Sequence, residues 1–406
     1  MKILTVSTVF PYPPHDGTRI QIYQRVKHLS EGNEVTLLCV VDREPEPSLV
    51  KEMERYCNFH LIRRPTIQFS EGLLARAFNF LRSFAAGVPY YELAHFREEA
   101  SEWIRSEVRS GKFDVVEADG SASIYLRTPL DALKVWTMHS VSAANEGRTI
   151  RFVHGWMRRL TILSYRPITR RYERGVARMV DLVAVLTPEN EVELKRIDEK
   201  IPASHCLTNG VDLDYFRFEP LSAEPEGVCF VGKMDHYPNH DAALHFYQDI
   251  WPAVRMEIPS ARLFIVGSKP MTGVVELSGD PSVEVTGFVE DVRPFMRKAG
   301  IAVVPLRMGG GILNKVLEAM AIGMPVVASR IAIHGLSVES GRHLLVCDDD
   351  AEFAAAVKRL LLDPELRSRM ALAGRQYVET YHQWQPIVNG YQAKLEGLLA
   401  RRRLRG

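Results

Sequence analysis

From Ile301 to Ser329 the hydrophobic pattern changes period twice. A continuous apolar run from Ile301 to Pro305 reads as a buried strand, apolar positions from Ile312 to Ile322 recur at helical spacing, and Pro325 to Ala328 is a second buried strand. The predicted order is strand, turn, helix, strand. The turn holds three consecutive glycines, Gly309, Gly310 and Gly311, and Gly323 stops the helix. Without Cβ atoms, the backbone N–H groups of such a turn can close on a ligand, and the helix that follows aims its positive end at the same point. An anion suits that place. Lys315 and Glu318 lie one helical turn apart and share a face. A diphosphate bearing a ribose would use both; an exposed ion pair is the plainer reading.

The same alternation runs through the rest of the chain. Lys2 to Val9 reads as a strand, Pro11 to Gly17 as the loop after it, and a helix is expected from about Thr18, followed by a strand from Glu34 to Val41. This is the opening of a doubly wound parallel sheet, whose ligands collect at the carboxyl ends of the strands. Phe113 to Glu117 and Lys134 to Met138 are further strands, ending at Asp119-Gly120 and at His139. Asp181 to Leu186 is another, with a helix starting at Thr187-Pro188. Composition turns loop-like from Glu219 to Gly227, marking a domain boundary. A second series follows: strands Val228 to Val231, Leu263 to Val266 and Val283 to Thr286, with helices from Asp241 and from Asp291. Asp349 and Glu352 have capping-box spacing ahead of another helix, so Asp348-Asp349-Asp350 reads as a cap rather than a metal site. The expected domains are 1–205, 206–380 and a C-terminal helix, 381–406, that crosses back to the first.

Composition narrows the classes. A chain of 406 residues has room for two domains, each with its own core. With 46% hydrophobic and 25% charged residues and a net charge of +1, nothing draws the whole chain to nucleic acid or membrane. Five scattered cysteines without C-x-x-C spacing indicate neither a disulfide framework nor a zinc site, and fit a reducing cytoplasm. The loop at Gly17 lacks G-x-G-x-x-G, which counts against a nicotinamide or flavin dinucleotide. Charge is uneven, however. Between Arg148 and Arg178 stand nine arginines and one acidic residue, Glu173, interleaved with Trp156, Met157, Leu160, Ile162 and Leu163. That is either a solvated basic helix or a surface for anionic lipid or a lipid-linked diphosphate. The amphipathic stretch from Ser70 to Tyr91 raises the same choice between packing and membrane contact.

Six motifs in order then give a resemblance: the N-terminal MKIL strand with its glycine loop; Asn209 to Phe216 (NGVDLDYF); Phe230 to Asp235 (FVGKMD); Leu263 to Gly267 (LFIVG); Val283 to Asp291 (VEVTGFVED); and Lys315 to Val327 (KVLEAMAIGMPVV). Together they resemble retaining GT-B glycosyltransferases of the family 4 type, from residue 1 to about 385. The wording from Met234 to Ala242 is similar to sugar transferases associated with exopolysaccharide or exosortase-type gene systems. The resemblance implies an α/β GT-B fold, two Rossmann-like doubly wound parallel-sheet domains facing a cleft. It also implies transfer of a sugar from a UDP- or GDP-type donor to a glycan or polyprenyl-linked acceptor, with no further cofactor, no metal and no nucleic acid. The donor is expected on the C-terminal domain and the acceptor mainly on the N-terminal one. Glu318 would hold the ribose, and Lys233, with Lys315, the diphosphate. Phe288 and Val289 would hold the base through backbone groups. Backbone donors from Gly309 to Ile312 and Gly17 would meet phosphate or sugar, and His139 would stand near the reacting carbon.

Two departures qualify the resemblance. Gly310 stands eight positions before Glu318, where the family often has a second glutamate for the sugar hydroxyls. Pro238, Asn239 and His240 occupy the place of a second basic residue after Lys233, for which Lys315 is the expected substitute. A non-catalytic scaffold of a polysaccharide assembly complex is the alternative these departures leave open.

Overall fold

The computed structural model describes residues 1–66, 73–150, 156–219, 225–309 and 311–404. Gly310 and Arg151 lie outside them. The chain forms two units, Met1–Thr208 with Trp384–Gly406, and Asn209–Gln383.

The first unit is built on seven strands: β1 (Lys2–Ser7), β2 (Glu34–Val41), β3 (Asn58–Arg63), β4 (Val115–Asp119), β5 (Leu133–Met138), β6 (Leu182–Val185) and β7 (Ala203–Cys206). All pairs are parallel, in the order β3-β2-β1-β4-β5-β6-β7. The central strands are buried on both faces, as in a sheet covered on both sides. Successive residues serve opposite cores: Ile3, Leu37 and Val135 pack with Trp384, Val388 and Leu395 of the last helix, Trp384–Arg403, while Leu4, Leu38 and Val116 pack on the other face. Strand order reverses beside β1, so β1 and β4 open the switch point where ligands gather in such sheets. Sequence periodicity passes over β3 and β7. Both are edge strands with mostly half-buried residues, so neither carries a clear apolar run.

The second unit carries β8 (Gly227–Val231), β9 (Arg262–Val266), β10 (Val283–Gly287), β11 (Gly300–Val304), β12 (Val326–Ser329) and β13 (Leu345–Cys347), parallel in the order β10-β9-β8-β11-β12-β13. Its switch point lies between β8 and β11. Three helix starts differ from expectation. The helix expected from Asp241 begins at Tyr237, with Pro238 in its first turn, where a missing N–H costs nothing. The helix expected from Asp291 begins at Arg293, because the Asp291 carboxylate accepts from the backbone N–H and guanidinium of Arg293 and stays outside. The helix expected from Ile312 runs Asn314–Ile322; it ends at Gly323, whose φ of 90° is open to glycine. Asp349 does cap the helix Asp350–Leu362, accepting from Glu352 N–H at 2.8 Å, while the Glu352 carboxylate accepts from the N–H of Asp348 at 2.9 Å. The second unit starts at Asn209 because the turn there is tied to its other end. Val211 N–H donates to His382 O at 2.8 Å, and the His382 ring lies 2.7 Å from Asn209 O.

Candidate functional site

In the second unit, β8 and β9 end in glycines that let their loops touch. A Cβ on Gly267 would lie 1.8 Å from Gly232 O, and Gly267 has a φ of 149°, so the contact needs glycine. Backbone bonds then stitch the loops: Gly232 N–H to Val266 O at 2.9 Å and Met234 N–H to Ser268 O at 2.9 Å. Lys233 projects from this junction, its side chain 49% exposed, with Nζ 3.5 Å from Asp235. Lys269 approaches the same carboxylate at 3.9 Å. The sequence reading passed over Lys269, which no motif marks.

Lys315 arrives from the helix Asn314–Ile322 on the far side of the switch point. Its Nζ donates to Asn239 Oδ1 at 2.8 Å and stands 4.4 Å over the Phe230 ring. Asn239 is fixed in turn by donating to Lys233 O at 2.9 Å. The residue standing where a second cation was expected therefore steers Lys315 to the Lys233 loop. Lys315 and Glu318, both half-buried, do not close the exposed ion pair of the plainer reading. Burial pushes the Lys315 ammonium down to about 7, against the charge of Glu318. Burial likewise pushes the Glu318 carboxyl up to about 7, against the charge of Lys315. Groups so placed change charge readily when a charged ligand arrives.

Gly309 has a φ of 142° with nothing within 4 Å of an added Cβ, so the space before this helix is open. Gly311 and Ile312 are buried beside it. At the end of β10, Phe288 is exposed and Val289 packs on the core. Tyr215 lies near Glu318 and under the Arg293 guanidinium, 3.9 Å from its ring centre.

In the first unit, Gly17 opens the helix Gly17–Leu29, capped by Asp16, and an added Cβ there meets nothing within 4 Å. His139 follows β5, with Nε2 hydrogen-bonded to the Asp119 carboxylate at the end of β4. Behind it runs a buried network. Arg25 bonds Asp119 and Gln21, and its Nε donates to Glu117 Oε1 at 3.2 Å. Glu117 accepts further from Thr5 Oγ1 at 2.6 Å and from Tyr391 OH at 2.7 Å. Burial alone would raise the Asp119 carboxyl, but the charges of His139 and Arg25 outweigh it and hold it below the usual value. These partners of His139 were not among the expected site residues, and no local pattern marks them.

The basic region falls on the helices Ser142–Thr149 and Trp156–Met179. Trp156, Leu160 and Leu163 are exposed on the second, as are Phe78, Leu81 and Phe84 on the helix Leu73–Ala86, which meets it through Phe80 and Tyr165. Arg174 and Arg178 are engaged by Asp198, while Arg170 and Arg171 are exposed. Among the described residues, no helix is long and apolar enough to cross a membrane.

Residues 225–363 match the family described as glycosyl transferases group 1. The chain is 24% identical over 370 residues to an uncharacterized 44.6 kDa protein in the cps region of Klebsiella pneumoniae, covering 87% of this chain and 89% of that protein. A phosphatidyl-myo-inositol mannosyltransferase of Mycobacterium leprae is 31% identical over 186 residues, 43% of this chain and 49% of its own length. Among solved structures, sucrose-phosphate synthase from Thermosynechococcus elongatus is similar with a TM-score of 0.69 at 19% identity, covering 99% of this chain and 100% of that one. The fold is GT-B, and the family match and relatives support glycosyl transfer as the class of activity.

Proposed function

We propose that the protein transfers a hexose, with retention at the anomeric carbon and without a metal ion, from a UDP- or GDP-type sugar to a glycan or polyprenyl-linked acceptor in exopolysaccharide or other cell-surface glycan synthesis. One arrangement carries the reading: at the switch point of the second sheet Asn239 ties Lys315 to the Lys233 loop, Glu318 lies beside Lys315, and the space at Gly309 before their helix is open. Breaking the bond from sugar to phosphate adds negative charge to the β-phosphate while the sugar becomes oxocarbenium-like. Lys233 and Lys315 are placed to stabilise that charge more in the transition state than before it. Glu318 takes the ribose hydroxyls, and the backbone after Gly287 takes the base. The departing phosphate receives the acceptor proton on the face it leaves, so no side-chain base is required. His139, held by Asp119, attends the sugar. We also assign the exposed apolar and basic face of the helix Trp156–Met179 to an anionic membrane on its cytoplasmic side; flotation with anionic but not zwitterionic liposomes tests this.

The test of the activity is release of nucleoside diphosphate by the purified chain from a panel of UDP- and GDP-sugars, with and without EDTA. Release from one base series, unaffected by EDTA, is expected. Tight binding with no turnover of any donor would favour the scaffold instead.

A further inference from the structure

Beside His139, at the carboxyl ends of β4 and β5, the first unit contains a cavity of about 100 Å³. Ser121, Trp136 and His139 line it from the strand ends, and Glu92, Tyr172 and Glu173 from the helices opposite. Its polar groups are unevenly satisfied. Glu173 accepts from the backbone N–H groups of Ser142 at 2.6 Å and Ala143 at 3.3 Å. Tyr172 OH lies 3.0 Å from Ser123 Oγ, and Trp136 Nε1 donates to Gly120 O at 3.2 Å. Glu92 differs: its Oε2 is buried with no hydrogen-bond partner. A buried carboxylate oxygen without a donor costs stability, and such atoms are few in folded proteins. No lysine or arginine is among the described residues that line the cavity. Burial pushes the carboxyls of both Glu92 and Glu173 up to about 7, a sign of how little positive charge or water reaches them.

We infer that this cavity is the acceptor subsite, that it takes a neutral hydroxyl-bearing ring of the acceptor glycan, and that Glu92 Oε2 receives one of its hydroxyls. The inference rests on the transferase reading and deepens it. A hydroxyl group supplies the donor that Glu92 lacks, the indole of Trp136 offers an apolar wall to a sugar ring, and His139, proposed above to attend the sugar, is part of the same wall. A phosphate is a poor occupant, because Glu92 and Glu173 repel it and no lysine or arginine in the wall offsets them. The lipid or phosphate portion of the acceptor therefore belongs outside this cavity.

The experiment is ligand-observed NMR on the full chain with methyl glycosides of glucose, mannose and galactose, and with inorganic pyrophosphate, on wild type and Glu92→Leu. That variant removes an unpartnered buried carboxylate, so its melting temperature should hold or rise. At least one glycoside should bind wild type and weaken about tenfold in Glu92→Leu, the loss of one hydrogen bond to a buried carboxyl. Pyrophosphate should not compete with it. Equal glycoside affinity in the two proteins, displacement by pyrophosphate, or no glycoside binding by wild type would each overturn the inference. Titration of uridine and guanosine diphosphates into the same samples reports the donor half separately: nucleotide binding without glycoside binding sinks the cavity assignment alone, and failure of both sinks the transferase reading.

Discussion

The two parallel sheets share an architecture but keep their charges in different places. The first unit buries Arg25, Glu117, Asp119 and Glu173 in its interior. In the second, the fully charged side chain most deeply buried among the described residues is Arg367, which serves the helix-end carbonyls of Leu360 and Leu361. Its Lys233 stays at a strand end, half exposed. A histidine held by a buried network is fixed before any ligand arrives. A lysine at a strand end is free to follow one. The first unit thus holds its histidine in a set geometry, and the second leaves a cation half exposed at a strand end.

The comparison can be broken most forcefully at Arg25. Arg25→Met strands Glu117 and Asp119 in the interior, and about 3–5 kcal/mol of stability should go, read by urea unfolding. Tyr391→Phe removes one hydrogen bond to Glu117 and should cost about 1–3 kcal/mol. Equal, small effects from both would show the network to be slack. Next comes Lys233→Ala, which should lower kcat at least roughly tenfold with an unchanged melting temperature, because its side chain is half exposed and packs little. Gly232→Ala sharpens the same point. Its Cβ would lie 2.8 Å from both Asn239 Nδ2 and Lys315 Nζ, so those groups must shift, and nucleoside diphosphate affinity should fall about tenfold.

A pH series tests the buried carboxyls. Glu92 and Glu173 are raised from 4.5 to about 7 in the folded chain, so the folded state holds protons there that the unfolded state has released. Their contribution to stability is full below about pH 4.5 and is lost as pH rises through 7. Glu92→Leu should therefore gain on wild type at pH 8 and not at pH 4, measured by melting temperature. The smallest effect belongs to Gly17→Ala. With nothing within 4 Å of the new Cβ, stability should stay within about 0.5 kcal/mol, so any fall in kcat/KM reports a ligand passing close to that backbone.

How far the sequence could be read follows the same division. The candidate residues of the second unit are local: the glycine turn, Lys315 and Glu318 fall within ten residues of each other, so their spacing alone puts the two side chains on one helix. Even there Lys315 turned to Asn239, a partner 76 positions away, rather than sharing a face with Glu318 as an ion pair. In the first unit, the place of His139 after a strand is legible in the sequence, but what holds it is not. Arg25 reaches Glu117 and Asp119 across 92 and 94 positions, and Tyr391 reaches Glu117 across 274. A buried arginine inside an amphipathic helix looks in sequence like any polar position of that helix. Only the folded unit, with the helices Gly17–Leu29 and Trp384–Arg403 laid on the sheet, brings the four together. Glu92 was hidden for a like reason, since a short helix of six residues gives no period to read.

The central claim is that the second unit grips a nucleoside diphosphate sugar through Lys233 and Glu318. Calorimetric titration of UDP and GDP into wild type, Lys233→Ala and Glu318→Ala tests it most directly. One nucleotide should bind wild type, and each variant should weaken that binding about tenfold or more while keeping its melting temperature. Binding of equal strength in all three proteins, or of neither nucleotide to wild type, would contradict it.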